Sequence, residues 1–344
     1  MIYLKHLHDL TIKIENNFIE LDKVTRIKKF NNFEFNEIKN ENILIIDNIK
    51  KKLSNGNKSF LNKQKYGIFL SHHELHAYSV IQFIKKNNIE INEIYILVND
   101  GNGTIFLNNE IPMAECISLY YYNFKEKRIK NLFSYLHNIK ASLLKNYSPS
   151  MLYFFTCNNI GLEYGEEGKI LALESKVKEF NSIDKINKVH KLINVLFKIF
   201  INNFHKNLIE NFKTSSKIKI KKSEELERII ENIFFNTKPF KENIFDNKYI
   251  KSYALQLLYE KIMIYIIRYS VDKYKIKTLG GTGGGFFNVK LNNLILNQIE
   301  EKLIINPVPG DLGINYFRNK KETINAYQNR YLLNRRMNAF IKND

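Results

Sequence analysis

The sequence predicts an α/β fold, and its length, its composition and its apolar patterning each support that class. With 344 residues the chain has the length of about two domains. Its 44% hydrophobic and 26% charged residues are typical of a globular protein, which argues against disorder, collagen-like repeats or a coiled-coil rod as the main architecture. In the first half of the chain, short apolar runs of strand character alternate with a helical pattern, as they do in α/β folds.

The strands and the first helix are predicted from the spacing of the apolar residues. Residues 71–84 carry apolar side chains at helical spacing, and Ser71 suits the N-cap position. Strand character recurs in short runs, the first two of which form a hairpin-like start: residues 10–14, 18–21, 43–47, 66–70, 95–98, 104–107 and 113–119.

The second half of the chain has a different sequence pattern, with long segments of helical spacing and a glycine-rich loop. Residues 183–212, 224–235 and 249–274 have helical apolar spacing with no internal Gly or Pro, so we expect three helices. A glycine-rich loop at 280–285 precedes a further predicted helix at 287–303. A loop of this composition allows the backbone to approach another group closely.

The charge balance is strongly basic. The 53 Lys and Arg residues exceed the 35 Asp and Glu residues and give a net charge of +18, which attracts polyanions. The basic residues are spread along the chain rather than concentrated in one segment, so we do not expect nucleic acid to be the partner.

The number of cysteines and the lengths of the apolar runs indicate the cellular compartment of the protein. Cys116 and Cys157 are too few for a disulfide framework or an all-cysteine metal site, which favours a reducing compartment. No stretch reaches the roughly 18 consecutive apolar residues of a membrane span, and the N-terminal residues lack the apolar run of a signal peptide. We therefore expect a cytoplasmic protein that does not contact a membrane.

Three of the eight histidines lie within five positions, at the start of the helix predicted over 71–84. His72 and His76 are four residues apart, so both imidazoles face the same side of the helix. This spacing predicts a metal site, although it differs from the His-Glu-x-x-His pattern of zinc proteases. A carboxylate from Asp100 or Asp311 would complete a two-histidine, one-carboxylate set, which suits Fe(II), with Zn as the competitor.

Two glycine-containing segments are candidate phosphate-binding loops. Asp100 and Gly101 begin a tight turn after the strand predicted at 95–98, and the loop at 280–285 could hold a phosphate or a ribose through its backbone N–H groups. Neither segment has the spacing of a P-loop or of the dinucleotide-binding fingerprint.

Read in order, these residues belong to a series of short motifs that runs over nearly the whole chain. The motifs are His8-Asp9, Thr25-Arg26 with Lys28, His72 to Ala77, Asp100-Gly101, Ser148 to Gly161, Glu167-Gly168-Lys169, Gln256 with Glu260, Gly284 to Asn288, and Pro309 to Gly313. The series resembles that of the O-carbamoyltransferase family of nodulation-factor and antibiotic-tailoring enzymes. The large domain of that family is similar to the fold of the tRNA threonylcarbamoyl transferases.

The resemblance implies a two-lobed actin-like fold, with mixed sheets flanked by helices and the site between the lobes. We expect residues 1–175 to form the N-terminal lobe that carries the histidine motif. Residues 176–344 would then form a helical insertion, a second lobe with the glycine-rich nucleotide loop, and a basic tail. After Gly313 only a short helical tail follows, so the family's C-terminal adenylate-forming domain is expected to be absent.

The resemblance also implies a reaction and a set of site residues. A carbamoyl group would pass from carbamoyl-adenylate, made from carbamoyl phosphate and ATP, to a hydroxyl of a sugar or natural-product acceptor. The implied residues are His72, His76, Asp100 and Asp311 as metal ligands, His8, Asp9 and Asp100 in catalysis, and Glu167, Lys169, Gly284, Gly285 and Asn288 at the nucleotide. A separate protein that forms carbamoyl-adenylate is the expected partner.

Two other functions stay open at this point. The chain could be a nucleotide-binding half of a split enzyme with no catalytic activity of its own. It could also be a tRNA threonylcarbamoyl transferase, which the net charge of +18 favours and which the residues Glu167, Lys169, His8 and Asp9 disfavour.

Overall fold

The fold is described from a computed structural model of the protein. The described residues are 2–5, 11–14, 17–20, 43–46, 72–101, 103, 105–108, 111–138, 148–162, 166–212, 243–298, 302–307 and 309–310. The strand predicted at 66–70, the helix predicted at 224–235 and the predicted site residues His8, Asp9 and Asp311 lie outside them.

The smaller sheet is formed near the N-terminus. Its strands are β1 (Ile2–Lys5), β2 (Thr11–Ile14), β3 (Asn17–Glu20) and β4 (Ile43–Ile46), in the spatial order β3-β2-β1-β4. β1 to β3 are antiparallel neighbours, and β4 runs parallel to β1. The hairpin-like start and the strand predicted at 43–47 are confirmed.

The larger sheet contains seven of the described strands. They are β5 (Glu93–Asn99), β6 (Ile105–Asn108), β7 (Ile111–Asn123), β8 (Arg128–Asn138), β9 (Leu208–Glu210), β10 (Thr278–Thr282) and β11 (Lys302–Ile305). The spatial order is β11-β10-β5-β7-β8-β9, with β6 paired to β7. The pairs β5–β7, β7–β8 and β8–β9 are antiparallel, whereas β10 runs parallel to both β5 and β11.

The two sheets share one topology. In each, three strands form an antiparallel meander, and a later strand pairs in parallel with the first strand of that meander. A topology that repeats in this way is expected of an actin-like fold. The predicted class, α/β with mixed sheets, is confirmed.

The described helices agree with most of the predicted ones. They are α1 (His72–Lys86), α2 (Pro149–Asn159), α3 (Lys169–Ser175), α4 (Val177–Phe180), α5 (Ile183–Asn207), α6 (Lys248–Tyr274) and α7 (Val289–Gln298), together with a 3₁₀ turn at Gly284–Phe287. Ser148, Ser182 and Asn247 cap α2, α5 and α6 by accepting backbone N–H groups of the first turn.

Two predicted helices have the wrong limits. The helix predicted at 183–212 ends at Asn207, because residues 208–210 pair with β8 instead. The segment predicted as one helix at 287–303 is divided between three elements. Residue 287 is the last of the 3₁₀ turn, residues 289–298 form α7, and residues 302 and 303 belong to β11. Pairing with a neighbouring strand decides the conformation in both cases, and helical spacing in the sequence does not reveal such pairing.

The larger sheet is covered by helices on both faces. Along β5, Ile94, Ile96 and Val98 pack with the apolar side of α1, while Leu97 belongs to the larger core on the opposite face. The core on that face is formed with α5 and α6, whose buried residues include Phe200, Phe204, Ile262 and Ile266.

The larger sheet contains strands from both of the predicted segments, residues 1–175 and residues 176–344. β5, from the first segment, is the hydrogen-bonded neighbour of β10, from the second. That boundary therefore does not separate the strands of this sheet.

Both cysteines are free and buried. Burial raises the pKa of the Cys116 thiol, and burial together with the nearby Glu167 and Glu166 carboxylates raises the pKa of the Cys157 thiol to about 12.

None of the helices in the described part of the chain is long and apolar enough to cross a membrane.

Gly283 is a position where both the backbone conformation and the packing exclude a side chain. Its φ is +94°, and a Cβ there would lie 2.3 Å from the carbonyl oxygen of Asn99. We expect Gly283→Ala to lower the free energy of unfolding by about 1–3 kcal/mol, as strained backbone conformations do. The urea midpoint measures this loss.

Gly168→Ala is the matched control. Gly168 has an ordinary φ of −62°, and a Cβ there would meet no atom within 4 Å. Its urea midpoint should stay unchanged or rise slightly. Equal midpoints for the two variants would contradict the tight packing of Gly283 on Asn99.

Candidate metal centre

The two predicted metal-binding histidines lie in the first two turns of α1. This helix packs on β5, β7 and β10, which buries the side on which His72 and His76 stand. Their rings are 4.6 Å apart between centroids, and the residues are only 1% and 0% exposed. Imidazoles buried this deeply beside each other are expected to share a polar partner.

Asp100 supplies that partner. It follows the last residue of β5, and its Oδ2 lies 2.8 Å from Nε2 of His72 and 3.3 Å from Nε2 of His76. The two Nε2 atoms are 3.1 Å apart. Ligand atoms that bind one ion at about 2.0–2.1 Å are about 3 Å from each other. The three side chains therefore already have the mutual spacing of ligands to a single metal ion.

The backbone around Asp100 fixes this carboxylate. Its N–H donates to the carbonyl of Cys116 at 3.2 Å, and its carbonyl accepts from the hydroxyl of Ser148 at 3.3 Å. Its second carboxylate oxygen, Oδ1, accepts the N–H of Gly284 at 3.1 Å. Asp100 thus joins the histidine pair to the glycine-rich loop, and its orientation is set by a partner outside the ligand set.

The glycine-rich loop packs closely on the end of β5. A Cβ at Gly285 would lie 2.2 Å from Nδ2 of Asn99 and 2.4 Å from the hydroxyl of Tyr259. The N–H of Gly283 donates to the carbonyl of Pro309 at 2.7 Å. Because the N–H groups of Gly283 and Gly284 have protein acceptors, a role for this loop at a nucleotide stays a prediction.

Asn288 occupies a buried polar network behind the loop. Its Nδ2 donates to the hydroxyl of Tyr153 at 2.8 Å and to Oε1 of Gln256 at 2.9 Å, and its Oδ1 accepts the N–H of Leu291 in the first turn of α7. Nε2 of Gln256 donates to Glu260 at 2.6 Å. Burial raises the pKa of Tyr153 well above its usual value, so this phenol stays protonated.

Glu167 and Lys169 lie at the start of α3. Lys169 is 60% exposed in its side chain and pairs with the neighbouring Glu166. The roles predicted for Glu167 and Lys169 at a nucleotide stay predictions.

His73 and Asn99 have structural roles that the sequence did not indicate. Nδ1 of His73 lies 2.8 Å from the hydroxyl of Ser118 on β7, which in turn lies 2.8 Å from Ser134 on β8. Nδ2 of Asn99 donates to the hydroxyl of Tyr259 at 2.6 Å. His73 thus ties α1 to the sheet, and Asn99 ties the end of β5 to α6. The sequence could have pointed to these two residues only through their neighbours, since His73 follows His72 and Asn99 precedes Asp100.

Comparison with known proteins gives distant structural similarities. No family model matches the chain, and no curated protein matches it in sequence. The chain is similar to full-length HypF, solved in its phosphate- and nucleotide-bound form, with a TM-score of 0.38 and 13% identity over 92% of this chain and 54% of that one. It is also similar to HypF from T. kodakarensis, with a TM-score of 0.36 and 12% identity over 92% and 46%. The chain spans about half the length of each structure.

The geometry predicts that His72 and His76 bind a divalent ion. Replacing either residue by Ala removes an imidazole nitrogen that would bind the ion. Loss of a residue that only hydrogen-bonds a metal ligand typically lowers metal affinity 10- to 100-fold. We expect the affinity for Fe(II) or Zn(II) to fall by more than this. Equilibrium dialysis with elemental analysis measures this affinity, and circular dichroism checks that the variants are folded.

His190→Ala is the matched control, because the imidazole of His190 contacts Tyr253 at 2.6 Å, on α5 and α6. It should bind metal as the wild type does. Equal metal binding by the wild type and by all three variants would exclude a metal site at His72 and His76.

Proposed function

We propose that this protein transfers a carbamoyl group from carbamoyl-adenylate to a hydroxyl of a sugar or natural-product acceptor. One observation carries the proposal: ligand atoms of His72, His76 and Asp100 lie within 4.8 Å of one another. These are three of the four metal ligands implied by the resemblance to O-carbamoyltransferases. His72 and His76 lie on α1, whereas Asp100 directly follows β5.

The donor set fits the metal that the proposal requires. Two neutral imidazoles and one carboxylate suit Fe(II), and Zn(II) competes for the same atoms. When bound, such an ion would act as a Lewis acid on the donor's carbonyl or phosphoryl oxygen. The chain's own residues hold the ligands in place: His73 anchors α1 to the sheet, and Gly284 holds the second oxygen of Asp100.

Asp311 is proposed as the fourth ligand. The carbonyl of Pro309 accepts the N–H of Gly283 at 2.7 Å and the hydroxyl of Thr282 at 3.1 Å, which fixes this segment beside the loop that contacts Asp100. The chain then continues through Gly310, and consecutive Cα atoms are about 3.8 Å apart. A ligand at position 311 is therefore consistent with the packing of residues 309–310.

The proposed reaction is an acyl transfer. The acceptor oxygen attacks the carbamoyl carbon, and a new C–O bond forms. The bond from that carbon to the phosphate oxygen of the adenylate breaks, and AMP leaves with the bonding electron pair. The acceptor's hydroxyl proton passes to a general base, for which we propose His8, with Asp9 as the next residue in the sequence. The products are the carbamoylated acceptor, AMP and one proton.

The donor and its binding residues complete the proposal. Carbamoyl-adenylate would be formed from carbamoyl phosphate and ATP by an adenylate-forming partner activity. Gly284, Gly285 and Asn288, with Glu167 and Lys169, are proposed to contact the nucleotide. Gly284, Gly285 and Asn288 are supported by their position: Gly284 contacts Asp100 directly, and Asn288 caps the C-terminus of the 3₁₀ turn that begins at Gly284.

The experiment measures AMP release from carbamoyl-adenylate by the metal-loaded protein, with and without a panel of sugar and natural-product hydroxyl acceptors. We expect release above the spontaneous rate, with the carbamoylated acceptor identified by mass spectrometry. His72→Ala and Asp311→Asn should lower the rate by at least about a hundredfold, the loss typical of one removed stabilising group in an acyl-transfer site.

His190→Ala should retain the full rate, because that residue contacts Tyr253 and lies outside the metal centre. AMP release no faster than the spontaneous rate, with every acceptor tested, would contradict the proposed function. Release that depends on threonylcarbamoyl-adenylate and tRNA would instead identify a tRNA-modifying enzyme.

A further inference from the structure

Phe287 is a large aromatic residue that the fold keeps at the surface beside the metal centre. It is the last residue of the 3₁₀ turn and is 47% exposed. Its two chain neighbours are buried: Phe286 packs in the core against Gly281, and Asn288 joins the polar network behind the loop. The turn thus directs one ring inward and leaves the other accessible.

The 3₁₀ turn places Phe287 on the side of the metal centre. Residues three apart in a 3₁₀ helix lie above one another, so Phe287 stands on the same side as Gly284, about 6 Å along the axis. That side faces Asp100, because the N–H of Gly284 donates to Oδ1 of Asp100 and a Cβ at Gly284 would lie 3.2 Å from the same atom. The ring and the carboxylate are therefore one turn apart on a common side.

The surroundings of the ring are apolar and partly fixed. A Cβ at Gly310 would lie 2.6 Å from Cε2 of the Phe287 ring, so the segment at 309–310 packs directly against it. Two residues further along the chain, Val289 is also exposed, at 38%. The nearest basic side chain in sequence, Lys290, is held by Glu174 at 2.8 Å and by Glu260 at 3.3 Å. The Phe287 ring thus offers a flat apolar face, and its edge is held by the segment at 309–310. An aromatic ring of a ligand can stack on such a face.

We propose that Phe287 is the surface on which the adenine base of the donor nucleotide stacks. This inference rests on the proposed function, which places the phosphate of carbamoyl-adenylate near Asp100. One turn of 3₁₀ helix then separates the phosphate position from the ring, a span that a single nucleotide bridges. Stacking would fix the base and leave the carbamoyl group at the metal centre. A ring at this position selects for a base without reading its hydrogen-bonding edge.

A thermodynamic cycle tests the inference by removing the ring and the base separately. Calorimetry of the metal-loaded protein compares AMP with ribose 5-phosphate, which lacks only the base. We expect Phe287→Ala to weaken AMP binding by about tenfold, the lower range for loss of a base–aromatic contact. Its affinity for ribose 5-phosphate should be unchanged, and Phe287→Tyr should retain the affinity for AMP.

Phe180→Ala is the matched control, because Phe180 is also exposed, at 52%, but stacks on Tyr249 with ring centroids 4.0 Å apart. It should bind AMP as the wild type does. An unchanged affinity of Phe287→Ala for AMP would overturn the inference. An equal loss for both ligands would also overturn it, because the ring would then shape the loop rather than hold the base.

The wild type separates failure of this inference from failure of the proposed function. If it binds AMP no more tightly than ribose 5-phosphate, the stacking surface is wrong and the phosphate site is retained. If it binds neither ligand, the nucleotide part of the proposed function fails, and the inference fails with it.

Discussion

The site depends on the two oxygens of one carboxylate. Oδ2 of Asp100 lies beside the buried His72 and His76 nitrogens, while Oδ1 accepts the N–H of Gly284. Through this side chain the start of α1, the end of β5 and the loop after β10 meet at one point. A charged group in a buried setting is expected to need several such partners, because burial without them is costly. The close packing of Gly283 and Gly285 on Asn99 keeps the loop at this distance.

Sheet topology explains why residues so far apart in sequence meet here. β5 and β10 are parallel neighbours, so Asn99 and Asp100 at the end of one strand lie beside the glycines at the end of the other. Ligands in α/β proteins bind at the carboxyl ends of such strands, and the turns there carry the variable chemistry. α1 packs across the same strands with its first turn at this edge. The segment at 309–310, which follows β11, approaches the same edge through the hydrogen bond from Gly283 to Pro309.

Local patterns predicted the parts of the site that depend on local structure. Helical periodicity alone places His72 and His76 on one side of α1, and strand periodicity places Asp100 at the end of β5. The acceptors of the Gly283 and Gly284 amides could not be predicted, because they depend on the pairing of β10 with β11 and with the distant β5. The same reason explains the error at residues 302–305, whose apolar spacing suits a helix but which pair with β10. His73 resembled its neighbours in sequence, and only the sheet shows that it turns towards Ser118.

X-ray absorption spectroscopy of the metal-loaded protein tests the coordination most directly. The spectrum of the Fe(II) or Zn(II) form should show two imidazole ligands, through nitrogen atoms at about 2.0–2.1 Å and the outer scattering of their rings, with oxygen atoms in the remaining positions. It should show no sulfur, since Cys116 and Cys157 are buried and their thiols have raised pKa values. A spectrum without imidazole scattering, or with oxygen ligands alone, would contradict a metal centre formed by His72, His76 and Asp100.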